Sequence, residues 1–321
     1  MKGRHTMELH PQMRRVVGMM AGPELGKLNP GEARAIHRER FLMLNQPLGP
    51  VQRVLDLYPK GPGGPLPMRV IVPITARVDE ALPIMLYFHG GGWVLGSHET
   101  VEPQCRYIAN AAKAIVISVE YRVAPEHKFP AAVDDCLWAV RWVYENAKEF
   151  GGDRNRIAVA GDSAGGNLAA VTAQQLLDSG PALAAQILLF PVTKMIYDTA
   201  SYVENAQGPF LTREMMDQFA ELYLNNEEER RDVRASPFYA EDLSGLPPTT
   251  IVTASHDPLR DEGIAYGELL VEAGVEMQHR NWDGYTHAFA SWGGNIDAAF
   301  EVLDFCVSGL RKAFYGPDLT D

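Results

Sequence analysis

From about residue 50 onward, short apolar runs alternate with longer stretches whose apolar positions recur at helical spacing. That alternation restricts the chain to very few folds. When a helix follows each strand it carries the chain back across the sheet, so repeated strand-helix units specify mostly parallel strands covered by helices on both faces. The segments 83–89, 114–122, 156–162, 186–192, 249–256 and 276–282 read as buried strands. Ahead of them, 51–57 and 68–73 flank a turn segment with Gly61, Pro62, Gly63, Gly64 and Pro65, and read as an antiparallel pair opening the sheet. The expected class is α/β, with about eight strands. The clearest helix is the last, where Ile296, Ala299, Phe300, Leu303, Val307, Leu310 and Phe314 share one face. Residues 129–150 behave likewise, with Val133, Leu137, Val140 and Tyr144 as the stripe.

Two stretches break the alternation. Residues 1–45 carry helical patterns around 11–20 and 30–44, and residues 198–235 carry another around 212–224. Both are expected to pack as a helical cap over the carboxyl edge of the sheet, where ligands bind in such folds. The remaining segments, 46–197 and 236–321, are expected to form one catalytic domain.

Composition removes several function classes. Across 321 residues, 29 Lys+Arg face 41 Asp+Glu, a formal net charge of −12. Such a balance repels nucleic-acid phosphates and anionic membrane surfaces, which are bound through basic patches. Small-molecule partners are expected instead. Cys105, Cys136 and Cys306 are odd in number, far apart and without a CxxC pair, which fits a reducing compartment and no cysteine nucleophile or metal site. The run 16–22 is short, contains two glycines and ends at Pro23, so it makes a poor secretory leader. No stretch reaches the 18 or more apolar residues of a membrane span. A cytoplasmic location is expected.

The chemistry concentrates at strand ends. Gly161-Asp162-Ser163-Ala164-Gly165 matches G-x-S-x-G, follows the strand at 156–162 and opens a helical pattern over 164–177. A serine on so tight a turn needs small neighbours, and a helix beginning at Ala164 directs free amides toward developing negative charge. Capping the helix is the simpler use of such a serine. A nucleophilic serine needs a base. Of nine histidines, His5, His10 and His37 fall in the expected cap, His89 begins a glycine run, and His98, His127 and His279 lack convergent neighbours in sequence. His256 and the adjacent Asp257 should point to opposite faces of a strand. His287, in the loop between the last strand and the last helix, is the expected base. Asp257, just past the strand at 249–256, is the expected orienting acid, with Asp261 as its rival one turn later. In His89-Gly90-Gly91-Gly92 the backbone can approach a ligand closely, so the amides of Gly91 and Gly92, with that of Ala164, are expected to hold an oxyanion. Trp93, Phe210 and Phe219 are candidates for an acyl pocket or for ordinary core and cap packing.

The chain resembles the hormone-sensitive-lipase-like branch of the α/β-hydrolases. The resemblance rests on four blocks and covers nearly everything after residue 50. They are His89-Gly90-Gly91-Gly92-Trp93, Tyr121-Arg122-Val123-Ala124-Pro125-Glu126-His127, Gly161-Asp162-Ser163-Ala164-Gly165-Gly166-Asn167 and Asp257-Pro258-Leu259-Arg260-Asp261-Glu262-Gly263. It implies an α/β-hydrolase fold and a carboxylesterase acting on short to medium acyl esters, with a cap built from the N-terminal segment and an insertion after the sixth strand. It implies no cofactor and no metal, and a homodimer as a family-level expectation. Carried over by position, the nucleophile is Ser163, the acid Asp257, the base His287, and the oxyanion donors Gly91, Gly92 and Ala164. The block from Tyr121 to His127 implies a buried structural network. Four positions depart from the family pattern: Val123 and Lys128 stand where Leu and Pro are usual, His256 precedes the acid, and Ala288 follows the base where Gly is common. The same machinery serves amidases and lactonases. The plant gibberellin receptors resemble this family as binding proteins but lack the catalytic histidine, which His287 supplies here.

Overall fold

The computed structural model describes residues 8–20, 22–77 and 80–317; His5 lies outside them. Eight strands form one sheet: β1 (Arg53–Leu57), β2 (Met68–Val72), β3 (Leu82–Phe88), β4 (Ile115–Val119), β5 (Gly152–Asp162), β6 (Ala185–Leu189), β7 (Thr249–His256) and β8 (Met277–Thr286). Their spatial order is β1-β2-β4-β3-β5-β6-β7-β8. β1 and β2 pair antiparallel, Arg53 opposite Val72, and β2 is antiparallel to β4, whereas β3 to β8 run parallel. A small hairpin, Lys60–Gly61 with Gly64–Pro65, fills the glycine- and proline-rich turn between β1 and β2. Two expected strands are longer than their apolar runs. β5 begins at Gly152, which pairs with Leu82 ahead of a register shift, and β8 continues past an irregularity after Trp282 so that Thr286 pairs with His256.

The sheet is buried because each central strand feeds two cores. Along β3, Ile84, Leu86 and Phe88 enter one cluster while Met85 and Tyr87 enter the other. α4 (Ala131–Asn146), α5 (Ala164–Leu176) and α8 (Arg260–Glu272) cover the first face. α3 (His98–Ala112) and α9 (Ala298–Tyr315) cover the second, α9 through Val302, Leu303, Val307, Leu310 and Phe314. The three cysteines are free thiols inside these cores. Among the described residues, no helix is long and apolar enough to cross a membrane.

The segments outside the alternation are helical. α1 (Pro11–Met19) and α2 (Pro30–Leu44) each start at a proline in the first turn, where its missing N–H costs nothing. Asn29 caps α2 by accepting from the Glu32 amide at 3.0 Å. The insertion after β6 contributes the short α6 (Ala200–Glu204) and α7 (Arg213–Tyr223), the latter capped by Thr212. Several bonds tie these pieces down. The Arg34 guanidinium of α2 donates to the carbonyls of Val94 and Ala124 and pairs with Glu126, which gives the Tyr121–His127 block its structural role. Asn167 of α5 donates to the carbonyls of Val192 and Ala235, at the two ends of the insertion. Lys128, unusual at its position, donates to the carbonyls of Glu221 and Leu224 at the carboxyl end of α7, where a cation meets the negative end of the helix dipole.

The neck of the insertion also rests on a buried carboxyl. Glu262 of α8 accepts from the amides of Thr193 and Lys194 through Oε1. Burial pushes its pKa up to about 8 from an ordinary value of 4.5. The native state therefore keeps a proton that the unfolded chain releases above pH 4.5, so stability falls progressively from about pH 4.5 to about pH 8 and levels off above it. The loss amounts to roughly 5 kcal/mol. Glu262→Gln keeps the accepting oxygen without the titration, so its urea-unfolding free energy should exceed that of the wild type far more at about pH 9 than at about pH 5; an equal gap at both pH values would refute this account. Lys128→Met should lower the unfolding free energy by about 1–2 kcal/mol in the same assay through the loss of two charge-assisted bonds, and an unchanged midpoint would show that α7 does not depend on them.

Candidate active site

Four strand ends on the parallel part of the sheet supply the site. β3 runs into His89, β5 into Ser163, β7 into Asp257 and β8 into His287. Ser163 occupies φ 57°, ψ −119° between β5 and α5, a conformation that L-residues adopt only under constraint. The turn is too tight for side chains on either side. A Cβ on Gly161 would lie 2.3 Å from the carbonyl carbon of Gly165, and one on Gly165 would lie 1.9 Å from the carbonyl oxygen of Phe88.

The strained turn directs Ser163 Oγ to Nε2 of His287 at 2.8 Å, and His287 Nδ1 meets Asp257 Oδ2 at 2.7 Å. The remaining oxygen of Asp257 accepts from the Leu259 amide, so the carboxylate cannot swing away. All three residues are buried. Asp261, the rival acid, is committed elsewhere: it accepts from the Ser201 amide and pairs with Arg260. His256 is hydrogen-bonded to Ser255, and His279 to Thr253. His89 stacks on Tyr121 at 4.3 Å and serves the glycine loop rather than Ser163.

That loop lies against the serine. Among the described residues, no acceptor engages the amides of Gly91, Gly92 or Ala164. The first two belong to a turn whose Gly91 carbonyl receives the amides of Val94 and Leu95. Gly92 has φ +62°, and a Cβ there would collide with the Phe219 ring of α7, so this loop and the insertion touch directly. Asp162 joins the loop to the serine turn: its carboxylate accepts from the Tyr87 hydroxyl at 2.9 Å and from the Gly90 amide at 3.1 Å. Burial raises its pKa, and these two bonds and the neighbouring histidines oppose the rise.

Ser163 and His287 open into a cavity whose empty space, with the solvent at its mouth included, is about 490 Å³. Phe210 and Phe219 of the insertion line it, together with Phe41 of α2 and Leu25. Trp93 does not; it is fully buried, stacked on Tyr223 at 4.5 Å. Phe190 packs edge-on against the His287 imidazole and Phe210 lies parallel to it, so apolar rings flank it on two sides. Two contributors are absent from the motif reading. Ser201 of α6 braces the acid loop by donating to the Pro258 carbonyl at 2.6 Å. His37 lines the cavity from the buried stripe Ala33, His37, Phe41 and Leu44 of α2. The only sequence signal for His37 is a polar residue at an apolar position of a helical stripe. Among the described residues, no group of three or more His, Cys, Asp or Glu side chains is disposed to hold a metal ion.

A family profile described as the alpha/beta hydrolase fold matches residues 85–291. The esterase LipI of Mycobacterium tuberculosis is 42% identical over 273 residues, 84% of this chain and 85% of the relative. The carboxylesterase NlhH of the same organism is 44% identical over 78% of this chain and 79% of its own. The structure of a hyperthermophilic esterase from the archaeon Pyrobaculum calidifontis superposes with a TM-score of 0.90 at 38% identity, covering 95% of this chain and 99% of the other. On these matches the chain belongs to the α/β-hydrolases, in their hormone-sensitive-lipase-like branch.

Proposed function

We propose that this protein is a serine carboxylesterase hydrolysing short- to medium-chain acyl esters, with Ser163 as nucleophile, His287 as general base and Asp257 as the carboxylate that orients it. The observation that carries the reading is the buried hydrogen-bonded run from Ser163 through His287 to Asp257, beside the unengaged amides of Gly91, Gly92 and Ala164. Ser163 Oγ attacks the ester carbonyl carbon as His287 Nε2 takes the hydroxyl proton. The carbonyl oxygen becomes an oxyanion held by the three amides. Collapse breaks the bond to the alcohol, which leaves with the proton from the imidazolium, and an acyl-serine remains. Water then attacks the acyl carbon, again losing its proton to His287, and collapse releases the carboxylic acid and restores Ser163. The ester, water and these side chains supply every atom, so the steps need no cofactor.

The names of the relatives, an esterase and a carboxylesterase, support the reaction class. The bounded, aromatic-walled cavity supports a preference for small acyl groups. In this reading residues 1–45 and 198–235 act as a cap on a catalytic domain of 46–197 and 236–321, a division supported by cavity walls drawn from both segments.

The test is hydrolysis of p-nitrophenyl esters from acetate to palmitate. A maximum at short chains is expected. Ser163→Ala should lower kcat by a factor on the order of 10⁶, and a loss of only about tenfold would mean that another residue is the nucleophile. Asp257→Asn should lower kcat by a factor on the order of 10⁴ through the wrong imidazole tautomer, with KM nearly unchanged. A variant close to wild type would remove Asp257 from the mechanism.

A further inference from the structure

Away from Ser163 and His287 the cavity wall is mainly aliphatic and aromatic, including Leu25, Phe41, Val101, Leu211, Met215 and Phe219. His37 interrupts it. The residue is only 6% exposed, its ring stacks on Phe41 at 4.2 Å, and neither ring nitrogen has a hydrogen-bond partner among the described residues. Nδ1 is sealed from solvent without a partner. Burial, reinforced by His89 and Arg40, pushes the imidazole pKa down to about 3, so the ring is neutral and carries one N–H. A buried bare nitrogen is a smaller penalty than a buried orphan N–H. The proton therefore belongs on Nε2, the nitrogen that is not sealed, on a side chain that lines the cavity. A phenylalanine would fill the same space without a polar group to satisfy, so an acceptor on a bound ligand is what accounts for a donor here.

We propose that His37 is a specificity-determining residue whose Nε2–H donates to a second acceptor oxygen of the bound ester, making esters with an ether, keto or further ester oxygen the favoured substrate class. This rests on the esterase reading above. A neutral donor does not offset charge, so a free carboxylate is not the preferred group.

Matched pairs test it. On the acyl side, p-nitrophenyl hexanoate is compared with its 3-oxa and 5-oxa analogues; on the alcohol side, pentyl acetate is compared with 2-ethoxyethyl acetate. Each kcat/KM ratio is divided by the ratio of hydroxide-catalysed rate constants, which removes intrinsic reactivity. For at least one pair the wild-type quotient should exceed unity by about fivefold. It should return to unity in His37→Phe and persist in His37→Gln, which keeps an N–H near the same point. A wild-type quotient near unity for every pair overturns the proposal without any variant. A quotient unchanged in His37→Phe, or lost equally in His37→Gln, overturns the donor role. Failure of the folded wild type to hydrolyse any of these esters would instead sink the esterase reading, and this proposal with it.

Discussion

Backbone strain at the carboxyl edge of the sheet is the condition on which the site depends. Among the described residues five non-glycine residues have positive φ: Ser163 itself, Phe190 and Ala288 beside His287, Trp93 at the end of the glycine run, and Lys113, which ends α3. Each such conformation costs about 1–2 kcal/mol and persists only where its surroundings leave no alternative. At Ser163 they leave none. Its amide donates to the Leu189 carbonyl, and its own carbonyl receives the amides of Asn167 and Val192, so strand, helix and the loop after β6 fix the peptides on both sides of Ser163. The glycines on either side allow the approach of Phe88, which carries the His89–Gly92 loop to the serine.

Once the strand ends are fixed, elements far apart in sequence can enclose them. α2 comes from the start of the chain and α7 from the insertion, yet both reach the cavity and both are anchored on the segment 121–128: α2 by Arg34 on Ala124 and Glu126, α7 by Lys128. The acid loop is braced by α6 through Ser201 on Pro258 and Arg260 on Glu204. Phe190 and Phe210, the latter backed by Trp292, flank the imidazole with apolar rings, and the His287–Asp257 attraction gains strength in the lower effective dielectric.

The parallel sheet and its strand-end residues are legible in the sequence because both follow from short-range rules: apolar runs long enough for one strand, and loops directly after them. Features that depend on tertiary pairing are not. The extension of β8 to Thr286 is invisible because Asp283 and Gly284 break the apolar run, and only the bonding of Thr286 to His256 defines it. α6, at five residues, is too short to show periodicity. His37 reads as an unassigned cap histidine, since no spacing rule says which buried polar residue will line a cavity formed by segments 173 residues apart, such as those of His37 and Phe210. Trp93 misleads in the opposite direction: its neighbours in the glycine loop face the cavity, while its own positive φ turns it into the core against Tyr223.

Two departures from the family pattern, His256 and Ala288, sit where local contacts bear on His287. His256 is bonded to Ser255, whose hydroxyl accepts from the Gly284 amide, so the residue before the acid braces the loop that carries the base. Ala288 is the sharper case. It follows His287 at φ 65°, where glycine would be free of steric cost. The alanine accepts that strain, and in exchange its Cβ joins Phe210 and Phe219 on an apolar wall immediately beside the base. A glycine there would relax the backbone but would also loosen the peptide that aims the imidazole, since glycine gains the most freedom of any residue when constraints are removed. Strain and packing at this position therefore act together: the methyl group that makes the left-handed turn costly also narrows the alternatives open to His287.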